Sequence, residues 1–257
     1  MLNRISPTVK YLLIVNVSVF LLIRLVGDEL VLSLSLYYFD SPLFRPFQLV
    51  TYMFLHADFM HLFFNMLSLF FFGPHIEFVW GQKKFLIFYL IVGVGAGLFY
   101  NGIQIMKNAS MKRDLTEFVA DPSPSQFYSY IENYDGYSQY TNNVYESYFD
   151  HPENLEIKQL AISTARKLYS LRINIPMLGA SGAVYGILMA MGLMFPNKEV
   201  YLLFPPIPLK MIYLVTIWGG WSAYNGLFSS PGDNVAHMAH LGGMVISLVL
   251  IKFSKQF

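Results

Sequence analysis

Six apolar runs, too long and too uniformly hydrophobic for a water-soluble core, limit what this chain can fold into. They lie at about residues 10–27, 59–80, 85–105, 177–195, 208–227 and 235–253. An α-helix needs about 20 apolar residues to cross roughly 30 Å of hydrocarbon. With no water at that depth, a crossing segment must satisfy its own backbone hydrogen bonds. The pattern therefore predicts an all-α membrane protein with six transmembrane helices. Composition agrees: 13% of the residues are charged, against about 25% in soluble domains. The net charge of +1 gives no electrostatic footprint for nucleic acid. With no cysteine, disulfides, thiolate metal sites and a cysteine nucleophile are excluded together. The first run lacks a small-residue cleavage site and reads as an anchor, not a removed leader.

Basic residues set the expected topology. Arg4 and Lys10, Lys83 and Lys84, Lys198 and Lys210, and Lys252 and Lys255 fall at alternating span ends, all on one side. The opposite short loops offer only Arg24 and Arg45. The positive-inside rule then places both termini in the cytoplasm. Residues 28–58 form a first outer loop, whose tail from Phe47 to Phe54 is apolar enough to lie in the interface. The chain reads as one membrane domain, 1–257, with an extracytoplasmic insertion at 107–174 between spans three and four. That insertion holds Tyr128, Tyr130, Tyr134, Tyr137, Tyr140, Tyr145 and Tyr148, too many aromatics for simple disorder. Its second half puts Ile157, Leu160, Ala161, Thr164, Leu168 and Leu171 on one helical face. It could cap the outer mouth, lie on the membrane, or be a tolerated insertion.

Span four opens with Gly179-Ala180-Ser181-Gly182. From Ser181 to Phe195, at about 1.5 Å per residue, the run covers roughly 21 Å, so the helix is expected to begin below the outer surface with Ser181 at its N-terminus. Irregular backbone at such depth is tolerated only where protein buries it or water reaches it. A serine in a membrane helix is often only tolerated; one at this place suggests a site. Span six follows a candidate N-cap at Gly232-Asp233-Asn234 and carries His237 and His240. Counting from Lys252 puts His240 about 18 Å from the cytoplasmic end, close to the depth of Ser181. An ionisable group buried there is costly unless paired; the bland alternative is a histidine bonded to a carbonyl across helices. Gly182 and Gly186, and likewise Ala236, Ala239, Gly243 and Ser247, recur at spacings that let two membrane helices approach closely. A serine and a histidine on those faces could reach hydrogen-bond distance, as a serine nucleophile requires of its base.

Span two contributes His56, Asp58, His61 and Asn65. His61 and Asn65 are one turn apart and both can donate to an oxyanion. Asp58 reads as a helix cap and His56 as structural. Zinc held by His56, His61, His237 and His240 is an alternative, weakened by the absence of HExxH and of deep carboxylates. No cofactor is expected.

GxSG opening one span, AHxxG in the last and HxxxxHxxxN entering the second together resemble the rhomboid family of intramembrane serine proteases, bacterial type. The resemblance covers all six spans and leaves out 107–174. It implies a Ser181–His240 dyad without an aspartate. It also implies an oxyanion hole from the Ser181 N–H, His61 and Asn65, with Tyr185 packed under the imidazole. Gly179 and Gly182 support the nucleophile, and His237 is a neighbour of the base. Glu77 and His75 read as structural. Where many rhomboids have Trp-Arg in the first outer loop, this chain has Phe47-Gln48, and any specific role of that arginine is lost. The implied partners are transmembrane protein substrates and lipid, and the implied location is a bacterial inner membrane. The rival readings are an inactive rhomboid-like scaffold or chaperone that binds transmembrane helices, and a channel or transporter. Against the latter, no inverted repeat or intramembrane carboxylate pair is evident. The sequence carries no signal of oligomeric state.

Overall fold

The computed structural model describes residues 5–135, 138–201, 207–228 and 237–253. Along the chain come α1 (Pro7–Val26), α2 (Glu29–Leu34), α3 (Gln48–Thr51), a 3₁₀ turn (Tyr52–Phe54) and α4 (Phe59–Trp80). Next are α5 (Gln82–Ala120), α6 (Pro124–Tyr134), α7 (Gln139–Asp150), α8 (Leu155–Ile173) and α9 (Ser181–Met194). A two-stranded hairpin, β1 (Glu199–Tyr201) and β2 (Pro208–Lys210), precedes α10 (Met211–Leu227) and α11 (His237–Phe253). The strands pair antiparallel, with Val200 opposite Leu209. Each of the six expected spans overlaps a helix, although 177–180 precede α9 and 208–210 form β2. Among the described residues α1, α4 and α5 are long and apolar enough to cross a bilayer, and α9 and α11 are shorter apolar helices. The candidate N-cap at 232–234 and Ala236, Arg4, Tyr137 and Lys255 lie outside the described residues.

Caps written in the sequence start the helices. Asp58 accepts from the His61 N–H at 2.8 Å and opens α4, as expected. Ser123, with Pro124 next to it, opens α6; Ser138 and Asn154 open α7 and α8. α1 borrows its cap from another helix. Buried Glu77 of α4 accepts from the Thr8 and Val9 N–H groups at 2.9 Å and from the Ser6 hydroxyl. This gives Glu77 the expected structural role, with a carboxylate at a helix N-terminus. His75 bonds the Phe71 carbonyl oxygen of its own helix.

The chain divides into two compact units. The first comprises Met1–Leu36, Arg45–Asn101 and Pro176–Phe257. In it α9 packs against α11, α4 and α10, while α1 packs on α4. The residues before α9 are not helical: Met177 exchanges two 2.8 Å backbone hydrogen bonds with Leu36. The fourth apolar run thus enters its helix through an extended segment.

The second unit comprises Tyr37–Phe44 and Gly102–Ile175, and it corrects two expectations. Span three does not stop near residue 105: α5 runs 39 residues unbroken, about 58 Å at 1.5 Å per residue. The apolar run ends where the sequence turns polar, but Asn108 to Glu117 contains no helix breaker, so the helix continues. The face expected on α8 holds for Ala161, Thr164, Ile157 and Leu168, which are buried or packed on the core, but not at its edge. Ala161, Ile162 and Ala165 are buried, whereas Leu160 and Leu171 are 43% and 63% exposed. The small alanines let α8 approach its neighbours, and the core they join holds Phe118, Phe127, Tyr130, Ile131, Val144 and Tyr148. Buried tyrosines find acceptors here: Tyr130 donates to the Ala165 carbonyl and Tyr148 to that of Pro122.

Asp40, in the outer-loop part of this unit, is bound by Lys112 at 2.7 Å and by the Tyr169 hydroxyl at 2.9 Å. The Lys112 ammonium, helped by Tyr169 and opposed by desolvation, holds the Asp40 carboxyl below its usual value. Lowering in the folded state means that ionised Asp40 stabilises the fold. The contribution is complete above the unfolded value of about 3.9 and is lost as pH falls through the lowered one. The pair is partly exposed, so it contributes under about 1 kcal/mol. The small difference in thermal midpoint between wild type and Asp40→Asn should be constant above about pH 4 and vanish only as the pH falls through the lowered value, as measured by unfolding in detergent.

Candidate active site

Ser181 begins α9, and the backbone before it is held from both sides. Gly179 adopts φ +126°, and a Cβ there would lie 2.7 Å from His61 Nε2; only glycine fits on both counts. Its N–H donates to the Tyr52 carbonyl at 2.9 Å. This exit from an extended segment leaves the Ser181 side chain at the first position of the helix, facing α11.

The small-residue faces meet as their spacing predicts. A Cβ on Gly243 would overlap the Gly182 carbonyl oxygen, and one on Gly186 would come within 3.1 Å of the Gly243 carbonyl oxygen. One turn further, the Ser247 hydroxyl donates to the Gly186 carbonyl at 2.8 Å. Backbone therefore lies against backbone between α9 and α11. That approach brings His240 Nε2 to 2.8 Å from Ser181 Oγ. His240 is buried, and among the described residues its Nδ1 has no hydrogen-bond partner. Tyr185 stacks on the imidazole with ring centroids 4.1 Å apart and planes at 7°. His237 meets it edge-on at 5.8 Å.

His61 faces the same point from α4. Its Nδ1 lies 3.4 Å from the Ala57 N–H, which it accepts. A neutral ring in that bond carries its proton on Nε2, the atom beside Gly179. Asn65 is buried and donates through Nδ2 to the His61 carbonyl at 2.8 Å, which leaves its second amide hydrogen available. His56 is buried and edge-on to His61 at 5.1 Å. The structure sets Tyr185, His237 and Ser181 against the His240 imidazole and His61 against Gly179, with Asn65 and His56 beside His61. A pocket of about 390 Å³ lined by Tyr185, Ile217, Trp218 and Trp221 adjoins Tyr185.

Two residues matter more than the sequence reading allowed. Gln48 is buried, accepts the Arg45 N–H at 2.9 Å and donates to the Ser33 carbonyl at 3.1 Å. It ties the loop between α1 and α4 together, so Gln48 has a structural function of its own. Tyr52, whose carbonyl holds Gly179, was not singled out. Its signal is a tyrosine hydroxyl, next to that of Thr51, in an apolar stretch; such a group must find a partner when buried.

Apolar helices around a half-buried serine hydrogen-bonded to a buried histidine mark an integral membrane protein with a polar site within its bundle. The chain belongs to the rhomboid family: the Rhomboid domain model matches residues 44–111 and 141–256. Residues 112–140, which the match leaves out, lie in the second compact unit. The chain is also similar to RHOMBOID-like protein 12, mitochondrial, of Arabidopsis thaliana, with 25% identity over 242 residues, 93% of this chain. It spans 55% of the length of that relative. The family includes proteases and inactive homologues.

Replacing Gly243 by alanine should force α9 and α11 apart, costing about 1–3 kcal/mol or more and lengthening the Ser181–His240 contact. Gly220→Ala, where a Cβ meets nothing within 4 Å, should leave the thermal midpoint unchanged. Unfolding of both variants in one detergent makes the comparison.

Proposed function

We propose that this protein is an intramembrane serine endopeptidase that cleaves transmembrane or membrane-proximal segments of membrane proteins with a Ser181–His240 dyad. The observation that carries this reading is the 2.8 Å contact between His240 Nε2 and Ser181 Oγ, made inside an apolar bundle where an ionisable side chain is costly without a task. In the reaction, Nε2 takes the serine proton as Oγ bonds to the scissile carbonyl carbon. The charge that develops on the carbonyl oxygen faces the Ser181 N–H, at a helix N-terminus, together with His61 Nε2–H and the free Asn65 amide hydrogen. His240 then returns the proton to the departing amine as the C–N bond breaks. Water, deprotonated by the same imidazole, releases the acyl group and restores the serine. The face of Tyr185 suits the transient imidazolium, since an aromatic face attracts a stacked cation. A helical substrate must unwind to present its carbonyl, which favours residues that break helices near the scissile bond.

The charge bias of the loops supports a six-span arrangement with 107–174 on the outer side and both termini in the cytoplasm, in a bacterial inner membrane. A mitochondrial location, the one in the plant relative's name, would place the same ends in the matrix.

Reconstituted in liposomes with a reporter transmembrane substrate, wild type should cleave, and Ser181→Ala and His240→Ala should each lose at least about a thousandfold in rate while staying folded. Cleavage that persists in Ser181→Ala would refute the dyad. Substrate binding without cleavage in all three would favour an inactive rhomboid-like scaffold.

A further inference from the structure

We propose that Tyr52 is a positioning residue for the nucleophile, pinning the turn Gly179–Gly182 from both ends so that Ser181 Oγ stays aimed at His240. This inference rests on the protease reading above. Tyr52 is 2% exposed and begins the 3₁₀ turn that follows the first outer loop. Its carbonyl oxygen takes the Gly179 N–H at 2.9 Å, which fixes the backbone two residues before the nucleophile. Its side chain crosses to α5, where the hydroxyl donates to the Gly93 carbonyl at 2.7 Å. Along that path the ring lies 3.2 Å from where a Gly97 Cβ would sit, and the hydroxyl 3.6 Å from where a Gly182 Cβ would sit. One residue therefore holds one end of the four-residue turn that carries Ser181 and lies beside the other.

The rest of the turn leaves that pin little slack. On the other side of Gly182 the α11 backbone is in contact at Gly243, so the residue after the nucleophile is held between Tyr52 and the helix that carries His240. Gly179 in turn is held between the Tyr52 carbonyl and His61. The hydroxyl anchor on α5 fixes where the Tyr52 backbone can sit, and thereby where Gly179 sits. Reactivity of this kind is sensitive to position: a displacement of about 1 Å can cost on the order of a hundredfold in rate. Loss of the hydroxyl should act on the rate of attack more than on the stability of the fold, because Tyr52→Phe keeps the ring in its slot.

The test is the labelling of detergent-purified full chain by an alkyl fluorophosphonate. In that reaction the serine oxygen displaces fluoride from phosphorus while His240 takes the proton. Tyr52→Phe should label roughly tenfold more slowly than wild type, yet reach the same final extent per folded protein. Its kcat on a peptide reporter should fall with KM unchanged. Met53→Leu, on the same turn with its side chain packed against Gly93, is the control: it should lower the thermal midpoint without slowing labelling. Labelling of Tyr52→Phe at the wild-type rate, or slowed only in proportion to a lost folded fraction, would overturn the positioning role and leave the protease reading standing. No labelling of folded wild type would overturn both.

Discussion

The contact on which the rest depends is the one between Gly182 and Gly243, where two helix backbones meet with no side chain between them. In a bilayer, helix association gains little from burying apolar surface, because lipid is as apolar as the neighbouring helix. Close packing and hydrogen bonds between helices must hold the bundle together. Glycine at both positions supplies the first, and the Ser247 hydroxyl on the Gly186 carbonyl supplies the second. A serine and a histidine one residue before Gly182 and three before Gly243 are then within hydrogen-bond distance as a consequence of the packing. The Ser181–His240 contact and the packing of α9 on α11 are thus a single structural fact.

The second requirement is a helix that starts late. The fourth apolar run enters as an extended segment bridged to Leu36, turns at Gly179 through a conformation open only to glycine, and becomes helical at Ser181. The backbone N–H groups of that first turn have no partners within the helix. In the proposed reaction they are the donors for the developing negative charge, with His61 and Asn65 adding to them from α4.

Much of this could be read in the sequence because membrane helices leave strong marks. The apolar runs, the four-residue spacing of small side chains and the order of GxSG, AHxxG and HxxxxHxxxN all survive without knowledge of tertiary structure. Asp58 could be read as a cap because capping is local, and Tyr185 could be assigned beneath the imidazole through the family resemblance. Four features could not be read. The extension of α5 to Ala120 was hidden because hydropathy reports where a helix leaves lipid, not where it ends. Membership of Tyr37–Phe44 in the second unit depends on side-chain ties such as Asp40 to Lys112 and Tyr169, across about 70 and 130 residues of sequence. The exposed Leu160 and Leu171 were assigned to the wrong face of α8 because periodicity alone cannot say which neighbours a helix will have. Tyr52 is the fourth: its hydroxyl is visible in the sequence, but the carbonyl that accepts the Gly179 N–H is a backbone group and carries no sequence signal.

The most direct measurement is mass-spectrometric mapping of the adduct that a fluorophosphonate leaves on the detergent-purified protein. The account predicts a single phosphonylated peptide bearing the group on Ser181 in wild type, and none in His240→Ala. An adduct on any other serine, or equal modification of Ser181 without His240, would contradict it.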